Sequence, residues 1–184
     1  IPSSVTSIGD SAFSGCSSLT QILIPSSVTI IGKSAFYGCS SLKQVTIPSS
    51  VTVIGDYAFA YCSKSITFTI IPCEKKIIEF YDNQFLLIKS NSNSEIYDTL
   101  LWVEPKIKSA IIPEFITKIA NASFINRLLL EWVIIPSSVT SIGKSAFSGC
   151  SSLTQIEIPK SIKKKHLGLN PPEPNPRQSF DYFF

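Results

Sequence analysis

The sequence predicts a β-rich, α/β-like solenoid, with one parallel strand plus a short helical or irregular turn per repeat. Three observations predict it. First, IPSSVTSIGDSAFSGCSSLTQI at residue 1 returns almost letter for letter at residue 135 as IPSSVTSIGKSAFSGCSSLTQI. Second, units starting at Ile1, Ile24, Ile112 and Ile135 are each 23 residues long, and another starts at Ile47. Self-similarity at such a period marks supersecondary units that bury their apolar faces by stacking. Third, 44% of the 184 residues are hydrophobic and only 16% are charged, which suits a packed core and excludes a solvated disordered chain.

Within a unit the pattern is IPSSVTxIGxxAFxxCSSLxxIx, and each part has a physical use. LTQILI, residues 19–24, alternates at its end and reads as a strand with Ile22 and Ile24 inward. Pro25 ends it, because proline donates nothing to a ladder. Ser26 and Ser27 then make a polar turn. VTII, residues 28–31, is β-branched and reads as a second, brief strand. Gly32 suits a turn that needs positive φ. KSAF, residues 33–36, suits a helical turn that buries Ala35 and Phe36. Cys39 and Leu42 close the loop. Stacking superimposes Phe13, Phe36 and Phe59, and likewise Ile8, Ile31 and Ile54. Because every unit runs in the same sense, the strands near 19–24, 42–47, 130–135 and 153–158 are expected to be parallel.

The solenoid is expected over residues 1–162. Residues 71–111 number 41, or 18 more than one unit, and hold FLLI (85–88) and TLLWV (99–103) around a polar bridge. They read as a hairpin insertion projecting from one turn, either as a binding element or folded flat over apolar surface. The third strand, SITFTIIP, carries one extra residue, which leaves its register open between two faces. The unit from Ile112 departs from the pattern, with Ala120 for Gly, ASF for SAF and Arg127 for Cys, and is expected to be the least regular turn. Residues 163–184 form a basic, then Pro-rich tail, expected to be disordered. The chain lacks Met and begins in mid-pattern, so it reads as a piece of a longer protein.

Signals of chemistry are absent. The single His is His166, in the tail, where it has no triad partners. No G-x-S-x-G elbow, phosphate loop or G-x-G-x-x-G occurs. The acids are scattered, with no pair spaced for acid–base work. Cys16, Cys39, Cys62 and Cys150 share one repeat position and read as small apolar core residues, with bridges between adjacent turns conceivable. No C-x-x-C is present, so no metal is expected, and no cofactor either. Cys73 lies off the column and is the candidate reactive thiol. Asn121 opens one glycosylation sequon, NAS. A net charge of +3 is too mild to argue for nucleic acid. No apolar run approaches the roughly 20 residues of a membrane span.

The L-x-x-I-x-I strand and the 23-residue unit I-P-x-x-V-x-x-I-G-x-x-A-F-x-x-C resemble the BspA-like leucine-rich repeats. That family is found on bacterial surface antigens and is expanded in mucosal protozoan parasites. The resemblance covers about residues 1–162 and implies display on a cell surface. It also implies a non-enzymatic protein-binding or adhesion module whose partner is a protein, such as a host extracellular or cell-surface protein. The outward strand positions are the candidate binding residues: Gln21, Leu23, Gln44, Thr46, Trp132, Ile134, Gln155 and Glu157. Trp132 reads either as an exposed hot spot or as packed under the insertion. The alternative function is a purely structural spacer in a longer surface stalk.

Overall fold

The structure is a computed structural model that describes residues 1–74, 76–91 and 93–162. The tail expectations fall on 163–184, outside the described residues. The strands are β1 (Ser7–Ile8), β2 (Gln21–Leu23), β3 (Ile30–Ile31), β4 (Gln44–Pro48), β5 (Val53–Ile54), β6 (Thr67–Ile71) and β7 (Ile78–Tyr81). They continue as β8 (Phe85–Ile88), β9 (Thr99–Val103), β10 (Ser109–Ile111), β11 (Lys118–Ile119), β12 (Trp132–Ile134), β13 (Ser141–Ile142) and β14 (Gln155–Glu157). They wind a solenoid of about six turns.

The longer strands form two parallel ladders, β2-β4-β6 and β10-β12-β14. The brief strands predicted from VTII also form ladders, β1-β3-β5 in the first half and β9-β11-β13 in the second. Register steps by one repeat: Gln21 pairs with Gln44 and Gln44 with Thr67, while Ser109 pairs with Trp132 and Trp132 with Gln155. The extra residue of the third unit therefore leaves the faces unchanged. Phe68 sits opposite Val45 and inward, and Thr67 and Thr69 face out.

No helix occurs among the described residues, so the expected helical turn is corrected. The reason lies in where the amides point. Ala12, Ser14 and Cys16 donate back three residues, to Gly9, Ser11 and Phe13. The amides between them, of Ser11, Phe13 and Gly15, donate instead to the next turn, at Lys33, Ala35 and Tyr37. An α-helix through this segment would aim its amides along its own axis at carbonyls four residues earlier, not outward to another turn. Left-handed residues break the segment twice per turn, as at Ser34 (φ 54°) and Gly38 (φ 70°).

Gly32 is required for a different reason from the one expected. It is not left-handed; a Cβ built on it would lie 2.6 Å from the Asp10 amide nitrogen of the preceding turn. Gly55 and Gly143 meet the preceding turn at 2.4 and 2.3 Å, while Gly9, in the first turn, would meet nothing within 4 Å.

The core confirms the stacked columns. Phe13, Phe36 and Phe59 stack with centroids 5.1 and 5.2 Å apart, and Phe124 and Phe147 at 4.6 Å. Ile8 and Ile31 are buried and Ile54 is half-buried. Ile24 is buried and Ile22, in the outermost ladder strand, is half-buried. Each fully buried Phe contributes ~1.5–3 kcal/mol of apolar transfer.

The insertion does not project. β7 and β8 form an antiparallel hairpin turned at Asp82 and Asn83, both left-handed, and β8 pairs antiparallel with β9. β9 in turn pairs parallel with β11, joining the insertion to the second short-strand ladder. All four residues of β8 are buried. Leu86 and Ile88 pack into the N-terminal core, Phe85 and Leu87 into the C-terminal core. The insertion is thus a layer between two half-stacks.

Candidate interaction surface

A parallel strand presents alternate side chains to opposite faces, so the central residue of each long strand fixes its neighbours. Val45, Ala110, Val133 and Ile156 are buried, and the residues on either side face out. Gln21, Leu23, Gln44 and Gln155 are exposed, while Thr46, Trp132, Ile134 and Glu157 are half-buried. The ladders bring these residues together in two groups. Gln21 lies beside Gln44 and Leu23 beside Thr46 in the first half; Trp132 lies beside Gln155 and Ile134 beside Glu157 in the second. No ladder joins the groups, because the insertion enters between β6 and β10.

Thr67, Thr69, Ser109 and Ile111 complete the outward rows and were not singled out from the sequence. The insertion hides β10 by separating it from its repeat context, although its pairing partner lies 23 residues on. Leu23 and Ile111 are each 62% exposed, the highest values among the large apolar side chains described.

The cysteine column lies inside. Cys39, Cys62 and Cys150 are buried and donate Sγ–H to the carbonyls of Phe13, Phe36 and Phe124 at 3.1, 3.1 and 3.0 Å. Burial pushes the Cys62 thiol up to about 12 and the Cys150 thiol up to about 11. Cys16 is exposed, whereas Cys73, the expected reactive thiol, is half-buried. All five cysteines are free thiols. In the sequon, Asn121 Oδ1 accepts the Lys144 amide, as Asp10 Oδ1 accepts that of Lys33 at 2.7 Å, and Ser123 is buried. Asn121 is therefore a cap between turns. Among the described residues, no group of three His, Cys, Asp or Glu is placed to hold a metal ion. Nor is any described helix long and apolar enough to cross a membrane.

Arg127 stands where the column has cysteine. It is 2% exposed, and its guanidinium lies over the Trp102 ring at 5.1 Å. The sequence marked it only as a departure from the repeat. Its burial follows from how the insertion folds against it, and no spacing revealed that packing.

A family model described as a BspA type leucine rich repeat region matches in six copies over residues 1–100 and 94–167. The chain belongs to this BspA-type family. Among solved structures, a leucine rich cell surface protein from Faecalibacterium prausnitzii A2-165 is similar at 35% identity with a TM-score of 0.73. The match covers 86% of this chain and 40% of that one, so the BspA-type chain spans less than half its length. The pneumococcal vaccine antigen PcpA matches at 21% identity, with a TM-score of 0.64, over 86% of this chain and 44% of its own. A leucine rich repeat protein of T. pallidum matches at 22% identity, with a TM-score of 0.50, over 85% of this chain and 66% of its own. At these identities the last two show the BspA-type fold alone. No curated protein matches the chain significantly.

Proposed function

We propose that this BspA-type chain is a non-enzymatic protein-binding or adhesion module of a cell-surface protein, which engages a protein partner through the outward rows of its long-strand ladders. The carrying observation is the apolar content of those rows: Leu23 and Ile111 at 62% exposure, with Trp132 and Ile134 half-buried alongside. A pure spacer gains nothing from apolar side chains held in water, whereas a docking face gains when a partner covers them. Surface display is supported by the F. prausnitzii relative, described as a cell surface protein. The partner class is an extracellular-matrix or epithelial surface protein. The test is adhesion of the purified domain to immobilised proteins of that class, comparing wild type with Trp132→Ala and Ile111→Ser at matched thermal midpoints. Selective loss in both variants supports the reading. Undiminished adhesion in both would place the contact off these rows and overturn the reading, and adhesion to nothing would favour the spacer.

A further inference from the structure

The insertion supplies β9 to the short-strand ladder but no A-F-x-x-C turn, so one turn is missing on that side of the stack. A cavity of about 70 Å3 fills the gap, lined by Phe59, Phe68, Leu86, Trp102, Asn126 and Arg127 among others. Two of these residues carry unsatisfied donors. Arg127 Nε donates to the Val103 carbonyl at 2.6 Å and Nη1 to that of Ile125 at 2.8 Å, but Nη2 finds no acceptor. Trp102, 7% exposed, has no acceptor for its indole Nε1–H.

A buried guanidinium bonded only to neutral carbonyls is costly, because its charge has left water without meeting an anion. Burial lowers its pKa only to about 10, and the Glu104 carboxylate favours the charged form through space, so it stays a cation at neutral pH. Both free groups are donors, so the complementary ligand is an acceptor and an anion. The wall mixes aromatic and aliphatic residues with Asp56, Ser63, Lys64, Asn121 and Asn126, and its apolar part suits the alkyl end of an organic anion better than a fully hydrated inorganic oxyanion. At ~10–15 Å3 per water-sized unit, the cavity holds about five to seven non-hydrogen atoms.

We propose that this cleft binds the carboxylate of a short organic group of about that size, with Arg127 as its counter-cation and Trp102 as a second donor. The carboxylate is either a free short-chain acid or the C-terminus of a peptide.

Nuclear magnetic resonance of the indole N–H groups tests this directly. The chain has two tryptophans, and Trp132→Phe assigns the signals. Sodium propionate should shift the Trp102 indole signal saturably at millimolar concentration, while isosteric, neutral propionamide and sodium sulfate should not. A short peptide ending in alanine, with a free or an amidated C-terminus, separates the two sources. A shift with the free form only assigns the peptide source, and a shift with propionate alone assigns the free acid. Arg127→Cys restores the residue the stack uses elsewhere and is expected to fold. It should reduce propionate affinity at least tenfold, with Arg127→Lys intermediate. Equal shifts by propionate and propionamide, no saturable shift by any carboxylate, or full affinity in Arg127→Cys would each overturn the proposal. So would a sulfate response matching that of propionate.

Discussion

Arg127 Nε donates to the Val103 carbonyl at 2.6 Å, from the repeat position at which Cys39 Sγ donates to the Phe13 carbonyl at 3.1 Å. The longer side chain reaches a strand of the insertion where a cysteine reaches a neighbouring turn. Ala120 has the same origin. It holds the glycine position of the one later turn with no like turn behind it, so its Cβ is tolerated.

The glycine column should therefore respond according to position. Gly32→Ala forces a methyl group against the Asp10 backbone at 2.6 Å and should destabilise by ~1–3 kcal/mol. Gly9→Ala meets nothing within 4 Å and should stay within ~0.5 kcal/mol of wild type. Urea midpoints of the two variants check the contrast, and equal losses would contradict it.

Phe36 is fully buried between two stacked rings, whereas Phe13 is half-buried at the end of its column. Phe36→Ala should cost ~3–5 kcal/mol and Phe13→Ala less. Chemical denaturation orders the two variants.

The thiols should divide by burial. At pH 8 a group at about 12, such as Cys62, is roughly one part in ten thousand thiolate, and the thiolate is the form that reacts. Iodoacetamide on the native protein should label the exposed Cys16 and spare Cys62 and Cys150, as peptide mass mapping would read. The same shift carries a sign for stability. The folded pKa of Cys62 lies above the ordinary thiol value, so the folded state holds the proton more tightly. That contribution is complete below about pH 9 and is lost as pH rises from there toward 12. Denaturant midpoints should fall across this window less steeply in Cys62→Ala than in wild type.

Trp132 flanks the buried Val133 and is half-buried. Trp132→Ala should leave the thermal midpoint nearly unchanged and weaken partner binding by at least ~2 kcal/mol. Surface plasmon resonance against a captured partner reads the second quantity and calorimetry the first. An unfolded variant would make the residue structural.

Much of the stack was legible because its units repeat: the parallel ladders, the Phe column and the outward positions all follow from a fixed step of 23 residues. Three things were not. A left-handed Ser34 leaves the same apolar spacing as a helical turn, so only the amide directions separate them. In the insertion, the FLLI and TLLWV pair was legible and forms as β8 against β9, but both faces of FLLI are buried, so its place inside the core with β7 at its other edge was not. The cleft beside it depends on a missing turn, and an absence leaves no motif.

The hairpin layer has a mechanical consequence. Leu86 and Leu87 are adjacent in sequence and buried in different half-stacks, so neither half can be pulled away without exposing the other. Under tension applied at the two ends of the solenoid, repeats linked only to their neighbours would peel off one at a time. Here the middle layer acts as a rivet. Force–extension traces of the domain held between handles should show a single dominant rupture involving both halves, and Leu86→Ala with Leu87→Ala should split it into two smaller ones.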